Sequence, residues 1–243
     1  METMNFQEFS TLLLESCEKN NISRLSEEQI KTFWRFTEHL MTVNETTNLT
    51  AIRNIPDVIT KHYVDSLTVS SMIPQGARVL DLGCGPGFPS IPLAIARPDL
   101  TICALDSTDK KIRFLNESAE LLNLSNLKGY SGRAEDAKTR SALKQFDVVV
   151  SRAVARMNIL SELCMPYVKI GGRLIAMKGA KGEEELAEAQ NAIQILGGSA
   201  NKHILELITE DSAEARCLIE VSKVKETPSI YPRQYSAIMK KPL

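Results

Sequence analysis

The chain has 243 residues, 43% of them apolar, enough for one large domain or a domain with a small appendage around an ample core. A formal net charge of -1 excludes a protein that coats nucleic acid through overall charge. Five cysteines without a close pair (Cys17, Cys84, Cys103, Cys164, Cys217) and the scattered His39, His62 and His203 exclude a disulfide framework and a zinc site.

The amino terminus has no basic lead or apolar run, and no later segment is long and apolar enough to span a bilayer, so a soluble, cytoplasmic protein is expected. Residues 5–19 and 26–42 carry apolar side chains at helical spacing, Phe6, Phe9, Leu13 and Cys17 in the first, Ile30, Phe33, Trp34 and Leu40 in the second. Ser26 with Gln29 reads as a capping box, and Trp34 as a core anchor within an apolar stripe. A third helix is expected from beyond Pro56 to about Met72, completing a helical cap over residues 1–73.

After Pro74-Gln-Gly76 the period changes. Strands are expected at 78–82, 101–105, 127–130, 146–150 and 173–177, with helices near 91–96, 110–122, 134–143 and 158–167 between them. A helix over 183–196 ends at Gly197-Gly198, and 202–208 with 216–223 read as a closing strand pair. This βαβ rhythm predicts an α/β domain over 74–225, with a mostly parallel seven-stranded sheet and helices on both faces. Residues 226–243 are expected to form a basic tail that ends irregularly. Charge is uneven along the chain. Residues 1–60 hold nine acidic against five basic side chains, 97–178 nine against fourteen, and 216–243 two against six.

The chemistry is expected at the carboxyl ends of the strands. Gly83, Gly85 and Gly87 lie between the first strand and its helix, where the backbone must turn sharply and approach a ligand closely. The dinucleotide pattern G-x-G-x-x-G needs glycine at position 88, where Phe88 stands, so a pyrophosphate is disfavoured. Asp106, ending the second strand, is placed to accept hydrogen bonds from ribose hydroxyls. A nucleoside without pyrophosphate, such as S-adenosylmethionine, fits better. Phe88 reads either as a cover for that cofactor or as packing on the sheet. Ala134 and Glu135 read as adenine contacts or as the ordinary acidic start of a helix. Arg152, directly after Val148-Val-Val-Ser151, faces a carboxylate or phosphate, or balances a surface acid, and Lys178 has the same status. No catalytic triad or metal cluster is visible. Ser151-Arg-Ala-Val does not match the polar-Pro-Pro-aromatic segment of amino-nitrogen methyltransferases, and Cys84 and Cys164 read as packing residues.

The chain resembles the bacterial family that methylates N7 of a guanine in 16S ribosomal RNA of the small subunit, also called glucose-inhibited division protein B. The likeness is carried in order by Asn48-Leu-Thr50, His62-Tyr-Val-Asp-Ser66, Asp81-Leu-Gly-Cys-Gly-Pro-Gly-Phe-Pro-Ser-Ile-Pro-Leu93, Leu105-Asp-Ser107 with Lys110-Lys-Ile-Arg-Phe-Leu115, Arg133-Ala-Glu135, Ser151-Arg-Ala-Val-Ala155, Lys178-Gly179 and Tyr231-Pro-Arg233. The resemblance implies a class I S-adenosylmethionine-dependent methyltransferase (Rossmann-like) fold. It implies cofactor contacts from Gly83, Phe88, Ala134, Glu135 and Arg152, to which the reading of the glycine loop and strand ends adds Gly85, Gly87, Asp106 and Ser107. RNA is expected to meet Arg152, Lys178, Arg233, Lys240 and Lys241, within a small-subunit particle, with Arg152 and Lys178 as electrostatic aids, no metal, and a monomeric enzyme. After Arg233 the family pattern has a glycine and then a proline where this chain has Ser236 and Ile238.

Overall fold

Short aliphatic runs alternating with amphipathic stretches drive the middle of the chain into βαβ units. In the computed structural model, which describes residues 4–209 and 212–243, they form one seven-stranded sheet in the order β3-β2-β1-β4-β5-β7-β6. Strands β1 (Arg78–Leu82), β2 (Thr101–Asp106), β3 (Leu127–Ser131), β4 (Phe146–Arg152) and β5 (Val168–Lys178) are parallel. The hairpin of β6 (Gly198–Ile208) and β7 (Ala213–Lys223) joins through β7 antiparallel to β5. Val148, Val149 and Val150 of β4 are completely buried, as a central parallel strand covered on both faces requires. Strand order reverses between β1 and β4, which opens a crevice at their carboxyl ends.

Helices α5 (Ser90–Ala96) and α6 (Asp109–Leu121) cover one face together with the amino-terminal helices, in a single continuous core. Helices α7 (Ala137–Leu143), α8 (Met157–Cys164) and α9 (Gly182–Ile195) cover the other. The helix α1 (Phe6–Lys19) is capped by Asn5 and Glu8, and α2 (Glu27–Thr47) by the expected Ser26–Gln29 box. Helix α2 runs past the expected end at 42 and stops where Asn48 turns left-handed, φ +50°. Trp34 anchors the two helices, its ring edge-on to Phe6 at 6.2 Å and to Phe9 at 5.2 Å.

Two expectations need correction. The third helix is not a single α-helix: an unbroken run over 55–67 changes to a π-helix in its middle, and a separate 3-10 turn follows. It comprises α3 (Ile55–Asp57), a π-helix Val58–Val64, α4 (Asp65–Leu67) and a 3-10 turn Ser70–Met72. Wide π turns are frequent at functional sites, and this one turns His62 and the Lys61 carbonyl toward Arg152, which also meets Asp65 at the start of α4. The tail is not irregular either. It contains α10 (Tyr235–Lys240), because Ile238, one of the residues that departs from the family pattern, is fully buried against α8 and its neighbours. Arg233 fixes the tail through three donors on the carboxylate of Glu162, itself completely buried on α8.

Candidate active site

The glycine loop is tied to the end of β2. Gly83 and Cys84 both donate their N–H groups to the Leu105 carbonyl, at 2.7 and 3.1 Å. Gly85 donates to Asp106 Oδ2 at 3.0 Å, and Asp106 Oδ1 accepts from the Thr108 N–H at 2.8 Å. The glycines do different work. At Gly83, φ +78°, an added Cβ falls 2.2 Å from a methyl of Val154, so only glycine lets β1 exit beside the β4 turn. At Gly85, φ +56°, it meets no protein atom within 4 Å. At Gly87, φ +113°, it collides with Ile91 at 2.5 Å, so this glycine seats α5 and lies off the cavity wall.

The loop borders a cavity of about 510 Å³ whose wall includes Gly83, Gly85, Phe88, Asp106 and Ser107. Ala134, Glu135 and Arg152 complete the expected set on that wall. Tyr167 donates its hydroxyl proton to the Ala134 carbonyl at 2.8 Å, and Arg133 donates to the buried Glu135 at 2.6 Å, which fixes the turn after β3. Tyr235 of the tail reaches the same wall, with the Arg133 guanidinium 5.3 Å from its ring centre. Behind the loop, one oxygen of the fully buried Asp81 accepts from the N–H and hydroxyl of Ser90, while Oδ1 has no partner. Burial pushes this carboxyl up to about 7.

Arg152 stands at the rim but is already engaged. Its Nη1 donates to the Lys61 carbonyl at 2.8 Å and to Asp65 Oδ2 at 2.9 Å, and Nη2 donates to His62 Nδ1 at 3.2 Å. Because guanidinium can only donate, His62 Nδ1 is the acceptor and Nε2–H donates to Thr50 Oγ at 2.8 Å. Burial and the Arg152 charge push His62 down to about 3, so the ring is neutral at physiological pH. It stacks on Phe88, centroids 4.1 Å apart and planes at 14°, so Phe88 packs against His62 of the amino-terminal helices and also borders the cavity. Arg216 donates to the other oxygen of Asp65 at 2.8 Å.

Lys178 is buried, ion-paired with Glu185 Oε2 at 2.7 Å, and lines a neighbouring cavity instead. Arg233 is a clamp on Glu162, so of the expected RNA contacts only Lys240 and Lys241 are exposed. Residue reasoning assigned no role to Thr50, His62, Asp65, Arg216 or Tyr235, although the first three sit in the Asn48-Leu-Thr50 and His62-Tyr-Val-Asp-Ser66 segments that carried the resemblance. Cys84 and Cys164 are completely buried, and burial raises both thiols, as packing residues should show.

Comparison with known proteins agrees with this geometry. The family described as GidB, rRNA small subunit methyltransferase G, matches residues 29–212. The ribosomal RNA small subunit methyltransferase G of Lachnoclostridium phytofermentans is 45% identical over 222 residues, 90% of this chain and 91% of its own length. That of Lactobacillus acidophilus is 42% identical over 245 aligned residues, 99% of this chain and 100% of its own. Among solved structures, an O-methyltransferase from Bacillus cereus in complex with SAH superimposes with a TM-score of 0.57 at 18% identity, covering 90% of this chain and 100% of that one. The M. jannaschii TYW2 in complex with AdoMet gives 0.53 at 15% identity, covering 66% and 75%. These two likenesses show the fold alone, the class I, Rossmann-like arrangement. With the match running through cap, glycine loop and sheet alike, the chain belongs to the family of rRNA small subunit methyltransferase G.

Proposed function

We propose that this protein methylates N7 of a guanine in 16S ribosomal RNA, using S-adenosylmethionine. The observation that carries the reading is the open space at Gly85 between the glycine loop and Asp106, in a cavity whose lining cysteine, Cys84, is completely buried with its thiol raised by burial. The residues fit the cofactor. A backbone without a side chain permits close approach, Asp106 lies one strand over from the loop, and one oxygen of the fully buried Asp81 behind the loop has no partner. Gly83, Gly85, Phe88, Asp106, Ser107, Ala134, Glu135 and Arg152 would hold it, with Tyr235 closing the tail side. When bound, the cofactor supplies an electrophilic methyl group on a sulfonium.

Guanine N7 is a lone-pair nucleophile that carries no proton, so the protein's task is alignment and tolerance of positive charge on the base. A bare cation at the rim would oppose that charge. Here Arg152 is neutralised by Asp65 and Lys178 by Glu185, and His62 is uncharged. Arg152 therefore acts as a rigid strut joining β4 to the π-helix, and the Phe88–His62 stack gives an uncharged aromatic wall.

Among the described residues no helix is long and apolar enough to cross a membrane. We take the enzyme as a cytoplasmic monomer. Residues 1–73 serve as the cap, 74–225 as the methyltransferase domain and 226–243 as the tail. The target is RNA within a small-subunit particle, and the exposed Lys240 and Lys241 guide its backbone. The test is transfer of tritiated methyl to RNA, small subunits and intact ribosomes from cells lacking the enzyme, followed by nucleoside mass analysis. Label at guanine N7 of 16S RNA is expected. Label at a cytosine, at guanine N2 or in transfer RNA overturns the reading.

A further inference from the structure

A second cavity, about 590 Å³, adjoins the first and shares His62, Arg152, Ala153 and Val154 with it. The first opens beside the ends of β1 and β2; the second lies over the ends of β4, β5 and β7, where it is lined by Lys178, Gly179, Glu185 and Arg216. The second cavity thus lies across the β4 turn from the wall proposed to hold the cofactor, where there is room for an acceptor. Its walls carry more than non-specific charge. Lys178 and Glu185 stand side by side, 2.7 Å apart, both mostly shielded from solvent, with side-chain exposures of 8% and 18%.

Their hydrogen bonds are incompletely used. The Lys178 ammonium has three protons, two of them directed at the Ala155 carbonyl and Glu185 Oε2. Glu185 Oε2 also accepts the Met157 N–H at 3.0 Å, while Oε1 has no partner among the described residues. What remains is one ammonium donor beside one carboxylate acceptor. The Watson–Crick edge of guanine presents the complement, an O6 acceptor next to the N1–H and N2–H donors. Adenine presents the reverse, an N6–H donor next to the N1 acceptor. Guanine N7 lies across the purine from N1 and N2, so a base held by that edge keeps N7 free to face the shared wall.

We propose that this second cavity receives the target guanine, with Lys178 donating to O6 and Glu185 Oε1 accepting from N1–H and N2–H. The assignment rests on the reading of guanine N7 as the methyl acceptor, and it makes Lys178 and Glu185 the residues that set base identity. Adenine also has a free N7, so it is the edge that must discriminate. Enzymes that act on an extruded base read it in this manner, and a mismatched donor or acceptor in a buried site is rejected strongly.

The experiment compares kcat/KM for methyl transfer to small subunits carrying guanine or adenine at the modified position. Wild-type enzyme is expected to prefer guanine by at least ~100-fold, and Glu185→Gln, whose amide offers both a donor and an acceptor, to narrow that ratio to within ~10-fold. A purely structural role for Glu185 lowers both rates and leaves the ratio alone. An unchanged ratio in a folded Glu185→Gln enzyme that still binds S-adenosylmethionine overturns the proposal.

A second variant decides the matter should loss of the Lys178 partner unfold the protein. An added Cβ at Gly179 meets nothing within 4 Å, so Gly179→Phe is accommodated by the fold while it fills the cavity. Cofactor affinity is expected to stay within about twofold, because Gly179 is off the cofactor wall, and transfer to small subunits to fall by ~100-fold or more. Transfer at the wild-type rate overturns the assignment. Absence of guanine N7 label with the wild-type enzyme refutes the proposed function itself, an outcome separate from both.

Discussion

Gly85 and Gly87 sit two residues apart in one loop, yet alanine at each should fail in a different way. At Gly85, φ +56°, the new methyl meets no protein atom within 4 Å. A left-handed L-residue costs about 1–2 kcal/mol, offset in part by about 0.4–1 kcal/mol from the stiffer unfolded chain. The net loss of about 1 kcal/mol corresponds to roughly 2–4 °C in Tm for a chain of this length. The methyl projects into the cofactor cavity, where loss of about 1.4 kcal/mol of contact weakens binding tenfold. At Gly87, φ +113°, the new Cβ lies 2.5 and 2.7 Å from two carbons of Ile91, which is completely buried. Backbone strain of about 1–3 kcal/mol and overpacking of similar size give roughly 2–6 kcal/mol, or on the order of 5–20 °C. Cofactor affinity of the folded protein should hold within about threefold, since Gly87 is off the wall. Thermal unfolding, with calorimetric titration of S-adenosylmethionine at a temperature where both variants are folded, separates the two effects. Unchanged affinity in Gly85→Ala, or tenfold weaker binding in Gly87→Ala without a drop in Tm, would refute the division of labour.

Three further outcomes follow from the geometry. Arg233→Ala strands the fully buried Glu162 and should cost about 3 kcal/mol, or roughly 6–12 °C in Tm; unfolding unchanged from wild type would show that the tail is not clamped there. Lys240→Glu with Lys241→Glu, both exposed, should leave Tm unaltered while making the log-log salt dependence of small-subunit binding shallower by roughly 1–2; an unchanged slope removes the tail from the RNA interface. The Asp81 carboxyl is pushed up to about 7 by burial, above its unfolded value, so it stabilises the fold at low pH and that contribution fades as pH rises toward and through 7. Asp81→Asn, which keeps an acceptor for Ser90, should therefore gain Tm relative to wild type between pH 5 and pH 8 in the cofactor-free protein, and a constant difference across that range contradicts the raised carboxyl.

Elements governed by local chemistry were readable from residue order. The Ser26–Gln29 box, the βαβ alternation, the three glycines and Asp106 all act over a few residues or one crossover, and in the structure all but Gly87 among the expected cofactor residues meet at one wall. The π-helix was not readable, because a helical period does not reveal one wide turn. The tail helix was hidden for another reason. Its anchor is a single buried isoleucine and an ion pair spanning 71 residues of sequence, and nothing in six residues of polar and apolar mixture announces either.

The sequence by itself determined the fold class and the glycine loop, since apolar period and glycine spacing are properties of neighbouring residues. Tertiary structure alone decided what each charge does. Arg152, Lys178 and Arg233 look alike as basic residues beside a presumed RNA site, but the fold sets them against Asp65, Glu185 and Glu162. A buried charge must find an opposite one, and which carboxylate lies within reach depends on how the strands are ordered and how the helices cross them.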